Sequence, residues 1–132
     1  MARKTKLTPV EWEIMEAVWA QKSAPSVREI LEYAFPNGEK AYTTVQTIMN
    51  TLVKKGLLRR KKTGLVNFYQ PTRTRKAMVK FEMRSLVSRV FGGSVPALAN
   101  SLLSLDKLEL EEIEQLKALL DEKERELKGG KS

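Results

Sequence analysis

The sequence predicts a mainly α-helical protein with one β-hairpin, and three observations predict it. Apolar residues recur at three- and four-residue spacing in separate stretches from residue 9 onward, and helix-start signals accompany the first three of them. Two short β-prone runs interrupt the helices once, around a Thr-Gly-Leu turn.

The elements follow in order. The first six residues, Met-Ala-Arg-Lys-Thr-Lys, are basic and lack an apolar pattern, so they read as a mobile arm whose Arg3, Lys4 and Lys6 are available to an anion. Thr8-Pro9-Val10-Glu11 places a hydroxyl at the N-cap, a proline at the first helical position and an acid three residues on, the layout of a capping box. In the helix that starts there, Val10, Ile14, Met15, Val18 and Trp19 share one face, leaving Glu11, Glu13 and Glu16 for solvent. Ser26-Val27-Arg28-Glu29 repeats the capping box and opens a shorter helix carrying Val27, Ile30, Leu31 and Ala34. Phe35-Pro36-Asn37-Gly38 is a turn by composition.

From Tyr42 the helical pattern resumes. Val45, Ile48, Met49, Leu52 and Val53 form one face, Thr43 with Gln46 supplies a third capping box, and Gly56 stands where a left-handed C-cap fits. Residues 57–62 and 66–70, joined by Thr63-Gly64-Leu65 and closed by Pro71, read as the hairpin. Beyond Thr72 the chain reads as helix, broken at Gly92-Gly93 and loosened over residues 104–107, with a last helix over residues 108–127.

Three helices followed by a hairpin is the order of a winged helix-turn-helix, with the hairpin as the wing. The chain is therefore divided into a winged helix-turn-helix domain over residues 1–72 and a helical dimerisation region over residues 73–132. In the second part Phe81, Leu86, Val90, Phe91, Leu98, Leu102, Leu103, Ile113, Leu116 and Leu120 are more apolar surface than isolated helices hide, and a second copy of the chain would cover it.

Charge separates the same two parts. The chain carries 24 Lys/Arg against 16 Asp/Glu, a net +8, and the whole excess lies in residues 1–75, which hold 14 basic and 6 acidic residues against 10 of each afterwards. There is no Cys and no His. That removes disulfides, thiolate and imidazole metal sites and the Ser-His-Asp triad. The acidic residues fall mostly on solvent faces, so no catalytic constellation, metal or cofactor is expected and the chain does not read as an enzyme. No apolar run approaches the roughly 20 residues that span a bilayer, and no leader pattern opens the sequence. The expectation is a cytoplasmic protein with no membrane partner.

The third helix carries the candidate contacts to double-stranded DNA. Opposite its apolar face stand Thr43, Thr44, Gln46, Thr47 and Asn50, short, uncharged side chains suited to reading base edges, with Tyr42 and Thr51 assigned to the DNA backbone. Lys54, Lys55, Arg59, Arg60, Lys61 and Lys62 then crowd six cations into nine positions, which suits phosphates. Alternation along a strand puts Arg59 and Lys61 on one side of the wing and Arg60 and Lys62 on the other, with Lys62 nearest the tip.

Leu7-Thr8-Pro9-Val10-Glu11-Trp12-Glu13-Ile14-Met15 with Trp19, then Val27-Arg28-Glu29-Ile30, and above all Tyr42-Thr43-Thr44-Val45-Gln46-Thr47 running to Lys54-Lys55-Gly56-Leu57-Leu58, resemble the penicillinase-repressor (BlaI/MecI) family of winged-helix regulators over almost the whole chain. The resemblance implies a homodimer that represses transcription from a palindromic operator, with the third helix in the major groove and the C-terminal helices in the dimer contact. In the best-known members, release follows cleavage by a membrane sensor protease at an Asn-Phe bond in the dimerisation region. The nearest counterpart here is Ser101-Leu102, with Asn100 one place earlier, so the pattern departs and the partner that releases the DNA is a sensor protease or another inducer. Copper-responsive relatives use a cysteine-rich tail, and this sequence holds neither Cys nor His. The competing reading is a winged-helix module that binds a protein without DNA, against which the concentration of cations in residues 1–75 argues.

Overall fold

Local hydrogen bonds set where the first two helices begin. In the computed structural model, which describes residues 6–130, Thr8 Oγ1 accepts from the Glu11 N–H at 3.2 Å while Glu11 Oε1 accepts from the Thr8 N–H at 2.9 Å. The same reciprocal pair, Ser26 with Glu29, opens the second helix. Arg3 and Lys4 of the basic arm lie outside the described residues.

The elements are α1 (Pro9–Ala20), α2 (Val27–Ala34), α3 (Tyr42–Lys54), β1 (Leu58–Thr63), β2 (Val66–Pro71), α4 (Arg75–Phe91), α5 (Val95–Leu103) and α6 (Leu110–Gly129). This is a mainly helical winged helix, as the sequence predicts. The expected capping box at Thr43 is absent. The N–H groups of Thr44 and Val45 both bond the Ala41 carbonyl at 3.1 Å, so the first turn closes upstream of Thr43 and leaves its side chain exposed on the helix surface.

The far end of α3 is shaped by one glycine. The Gly56 N–H donates to the Val53 carbonyl at 2.9 Å and the Leu57 N–H to the Leu52 carbonyl at 3.0 Å, the two bonds of a Schellman motif. Gly56 sits at φ 81, a left-handed conformation that a Cβ disfavours, and the chain turns there directly into the wing.

The two strands pair antiparallel from Leu58↔Pro71 to Thr63↔Val66, so the loop is only Gly64-Leu65, one residue shorter than the sequence suggests. Gly64 at φ 65 followed by a residue at negative φ matches the sign pattern of a type II′ turn. Leu58 and Tyr69 are buried, which identifies the face carrying Leu58, Arg60, Lys62 and Tyr69 as the one packed on the helices. β2 is also tied to the α1–α2 connection, where the Tyr69 N–H donates to the Pro25 carbonyl at 2.8 Å.

The core gathers Ile14, Met15, Ala17 and Val18 of α1, Val27 and Ile30 of α2, and Val45, Met49 and Leu52 of α3, with Leu57, Leu58 and Tyr69 below them. Phe35 belongs to a turn by its backbone but is buried as the C-cap of α2, because the chain turns under the helix and points the ring inward. Glu11, expected in solvent, is 6% exposed, and Glu16 is half-buried; both have cationic partners.

Packing divides the chain into Met1–Arg84 and Ser85–Ser132. The first unit runs past residue 72 because Met78 of α4 is fully buried in its core and because the Trp19 indole N–H bonds the Arg73 carbonyl at 2.9 Å. In the second unit no described residue is buried. The pairs Lys123–Glu126 and Lys128–Glu124 lie on the surface of α6. Such exposed pairs are typically worth only about 0.3–0.5 kcal/mol each, too little to hold a 20-residue helix whose apolar residues stay mostly exposed. Among the described residues no helix is long and apolar enough to cross a membrane.

Replacing Gly56 with alanine is expected to lower stability by about 1–2 kcal/mol, through left-handed strain, with the core itself unchanged. Urea unfolding followed by circular dichroism measures it.

Candidate nucleic-acid interface

At about 100° per residue, Thr43, Thr47, Asn50 and Lys54 fall at successive four-, three- and four-residue steps and form one stripe along α3, turned away from Val45, Met49 and Leu52. Thr43, Thr44, Thr47 and Lys54 are exposed; Gln46, Asn50 and Thr51 are half-buried on the flanks. The stripe is short-chained and uncharged until Lys54, which lets a helix backbone come close to a partner surface.

The flank carrying Asn50 meets the wing. Asn50 Oδ1 accepts from Arg60 Nη1 at 2.7 Å and from the Tyr69 hydroxyl at 2.9 Å. A carbonyl oxygen has two lone pairs, and both are used. Bidentate reading of an adenine edge needs that same oxygen, so it would strand a phenol in a residue that is 1% exposed. Stranding such a group costs about 1–3 kcal/mol, the same size as the roughly 1–3 kcal/mol that a bidentate base contact discriminates. Gln46 has no such commitment among the described hydrogen bonds and keeps both ends of its amide for a partner.

Of the cations expected to meet phosphate, the structure separates one. Lys55 Nζ lies 2.6 Å from Glu11 Oε1 and 3.2 Å from the Lys6 carbonyl, with the Glu11 side chain only 8% exposed. Burial alone pushes the Glu11 carboxyl up, but the Lys55 ammonium and the Thr8 N–H outweigh it and hold the group below its ordinary value. Lys55 therefore fastens the end of α3 to the start of α1, while its neighbour Lys54 is exposed. Arg59, Arg60, Lys61 and Lys62 are all exposed on β1. Register places Arg59 and Lys61 on the face of Gln70 and Phe68, and Arg60 and Lys62 on the face of Tyr69 and Asn67.

Three contributors escape a reading of the sequence. Arg28 of α2 lies over the Tyr42 ring, 5.3 Å from its centroid, and steadies the first residue of α3. Tyr69 supplies a buried hydroxyl to Asn50; its pairing with the Leu58 face is visible in strand alternation, the hydrogen bond is not. Glu11 is spent in the sequence on its capping box, and nothing local announces a partner 44 positions away.

In the second part, Phe81, Leu86, Phe91, Leu98 and Ile113 are half-buried, and Val90, Leu102, Leu103, Leu116 and Leu120 are exposed at 56%, 46%, 53%, 37% and 68%. Phe81 belongs to the first compact unit and the other nine to the second. Ser101 and Leu102 are exposed in the last turn of α5, which ends at the Ser104 C-cap.

A tri-helical core, a hairpin packed beside its third helix and a polar stripe on that helix define a winged helix-turn-helix regulator. The chain belongs to the penicillinase repressor family, whose sequence profile matches residues 7–122. It is 26% identical over 122 residues to the penicillinase repressor of Bacillus licheniformis, covering 92% of this chain and 94% of that one. It is 27% identical over 125 residues to the methicillin resistance regulatory protein MecI of Staphylococcus aureus (strain N315), covering 93% and 100%. A third relative, the transcriptional regulator BlaI of Mycobacterium tuberculosis (strain CDC 1551 / Oshkosh), is 30% identical over 79 residues, covering 60% and 57%. These relatives are named as repressors and regulators, and the family is one of transcriptional repressors, not enzymes.

The two adjacent lysines are expected to behave differently. Lys54→Ala should leave stability within about 0.5 kcal/mol of the original, whereas Lys55→Ala, which leaves Glu11 buried without its cation, should cost about 1–3 kcal/mol. The sign of the pH effect follows from Glu11. A depressed carboxyl contributes stability that is complete above its ordinary value of 4.5 and is lost as pH falls through the lower folded value. Thermal midpoints taken from pH 7 to pH 3 should therefore fall less steeply in Glu11→Gln than in the unaltered protein.

Proposed function

We propose that the protein is a homodimeric repressor that covers a palindromic operator, with α3 in the major groove and the wing beside it. The observation that carries this reading is the uncharged outward stripe of α3, bounded by exposed Lys54 and by the cations of β1. Membership of a repressor family supports the same reading. Thr43, Thr44, Gln46 and Thr47 meet base edges, Gln46 as the bidentate reader, while Tyr42, Thr51, Lys54, Arg59, Arg60, Lys61 and Lys62 meet the backbone, with Lys62 nearest the wing tip. Lys55 takes an internal role instead, and Asn50 is engaged by the wing.

Residues 1–72 supply these contacts and residues 73–132 the pairing of two copies. The absence of any buried residue among those described from Ser85 onward supports a dimer, because α5 and α6 have no core of their own in one chain. Two-fold pairing would then fix the separation of the half-sites, one turn of DNA or a multiple of it. Release of the DNA rests either with a sensor protease cutting at Ser101-Leu102, which is exposed at the end of α5 in the single chain, or with another inducer.

Titration of a labelled promoter fragment at several salt concentrations should give a logarithm of affinity that falls linearly with the logarithm of salt. A flat response overturns the phosphate contacts, and capture of a protein partner with no DNA retained favours the interaction-module reading. Gln46→Ala and Thr47→Ala should relax sequence preference by about 1–3 kcal/mol, while Lys62→Ala should weaken all DNA alike.

Sedimentation equilibrium should return twice the chain mass of 15.0 kDa. The pair Leu116→Asp with Leu120→Asp should shift it to a single chain mass and weaken operator binding with it.

A further inference from the structure

We propose that Asn50 is a positioning residue rather than a base reader: together with Tyr69 it locks the wing to α3 and aims the Arg60 guanidinium at the DNA backbone. This rests on the DNA-binding reading above. Three observations converge on it. Asn50 Oδ1 takes both of its hydrogen bonds from the wing, from Arg60 Nη1 at 2.7 Å and from the Tyr69 hydroxyl at 2.9 Å. Arg60 and Tyr69 are direct cross-strand partners, so one oxygen on the helix grips both strands of the hairpin at one register position. Tyr69 is itself fixed, 1% exposed, with its N–H bonded to the Pro25 carbonyl at 2.8 Å.

The chemistry assigns each partner a part. Burial pushes the Tyr69 phenol up, so it stays a donor across the physiological range. Its oxygen is too enclosed to reach DNA, and it acts only through Asn50. Arg60 spends one N–H on Asn50 and keeps the others of its five for a phosphate. A long, exposed arginine ordinarily samples many rotamers, and the bond to Asn50 selects one before DNA arrives, which removes part of the ordering cost of binding. The Asn50 oxygen that reading adenine would need is filled.

A double-mutant cycle separates positioning from reading. Affinities are measured for the unaltered protein, Arg60→Ala, Asn50→Ala and the double variant, each on a duplex that the protein selects from a randomised pool and on a scrambled duplex of the same composition. Arg60→Ala and Asn50→Ala should each lose about fivefold, the scale of one net hydrogen bond, on both duplexes. The double variant should be no weaker than Arg60→Ala alone. Tyr69→Phe, which keeps the buried ring, should reproduce part of the Asn50→Ala loss and vanish likewise in the Arg60→Ala background; it decides the same question where Asn50→Ala does not fold. Multiplicative losses in the double variant, or a loss from Asn50→Ala confined to the selected duplex, overturn the positioning role. Failure of the unaltered protein to bind either duplex overturns the DNA reading instead.

Discussion

Helix α3 has to be buried on one side and bare on the other, and the first unit is arranged around that requirement. Val45, Met49 and Leu52 are fully enclosed by α1, α2 and the start of the wing, while Thr43 and Thr47 on the opposite side touch nothing that would hold them back from a partner. Close packing leaves little slack for the buried side to slide. The ends are pinned separately, by Arg28 over Tyr42 at one end and by Lys55 on Glu11 at the other. A helix fixed in rotation and at both ends presents its outward side chains at set positions, which a reading surface needs.

Much of this was legible in the sequence where the cause is local. Capping boxes at Thr8 and Ser26, the glycine ending α3, and the alternation of the wing are written within a few residues, and they came out where periodicity and cap chemistry put them. The box assigned to Thr43 did not, because residue types alone do not say at which residue the first turn closes. The candidate contacts divide the same way. Thr43, Thr47 and Lys54 lie outward as the helical period requires. Asn50 and Lys55 were indistinguishable from their neighbours in sequence, since what engages them, the wing at positions 60 and 69 and the acid at position 11, is distant along the chain.

The second half obeys a different constraint. Its helices have sound local signals, Ser94 capping α5 and Glu109 with Glu112 at the start of α6, yet no residue of either is fully buried. Local propensity makes helices there but gives them no core, and short-range ion pairs are too weak to substitute. The apolar pattern that predicts helices in sequence says only that a face needs covering. What covers it is not written in one chain's periodicity.

The placement of tryptophan has an optical consequence. The chain has two, Trp12 and Trp19, both in α1, edge to face with centroids 5.7 Å apart. The Trp12 indole is bonded to Glu16, which also holds Arg75, and the Trp19 indole is bonded to the Arg73 carbonyl where the chain leaves the wing. Intrinsic emission is therefore a report from the junction of α1 with the start of α4. It is silent about α3, whose only aromatic is Tyr42, and about everything from Val95 onward, which has no aromatic residue at all. A change in that emission when a partner is added signals movement at the root of α4, separately from contact at the reading helix.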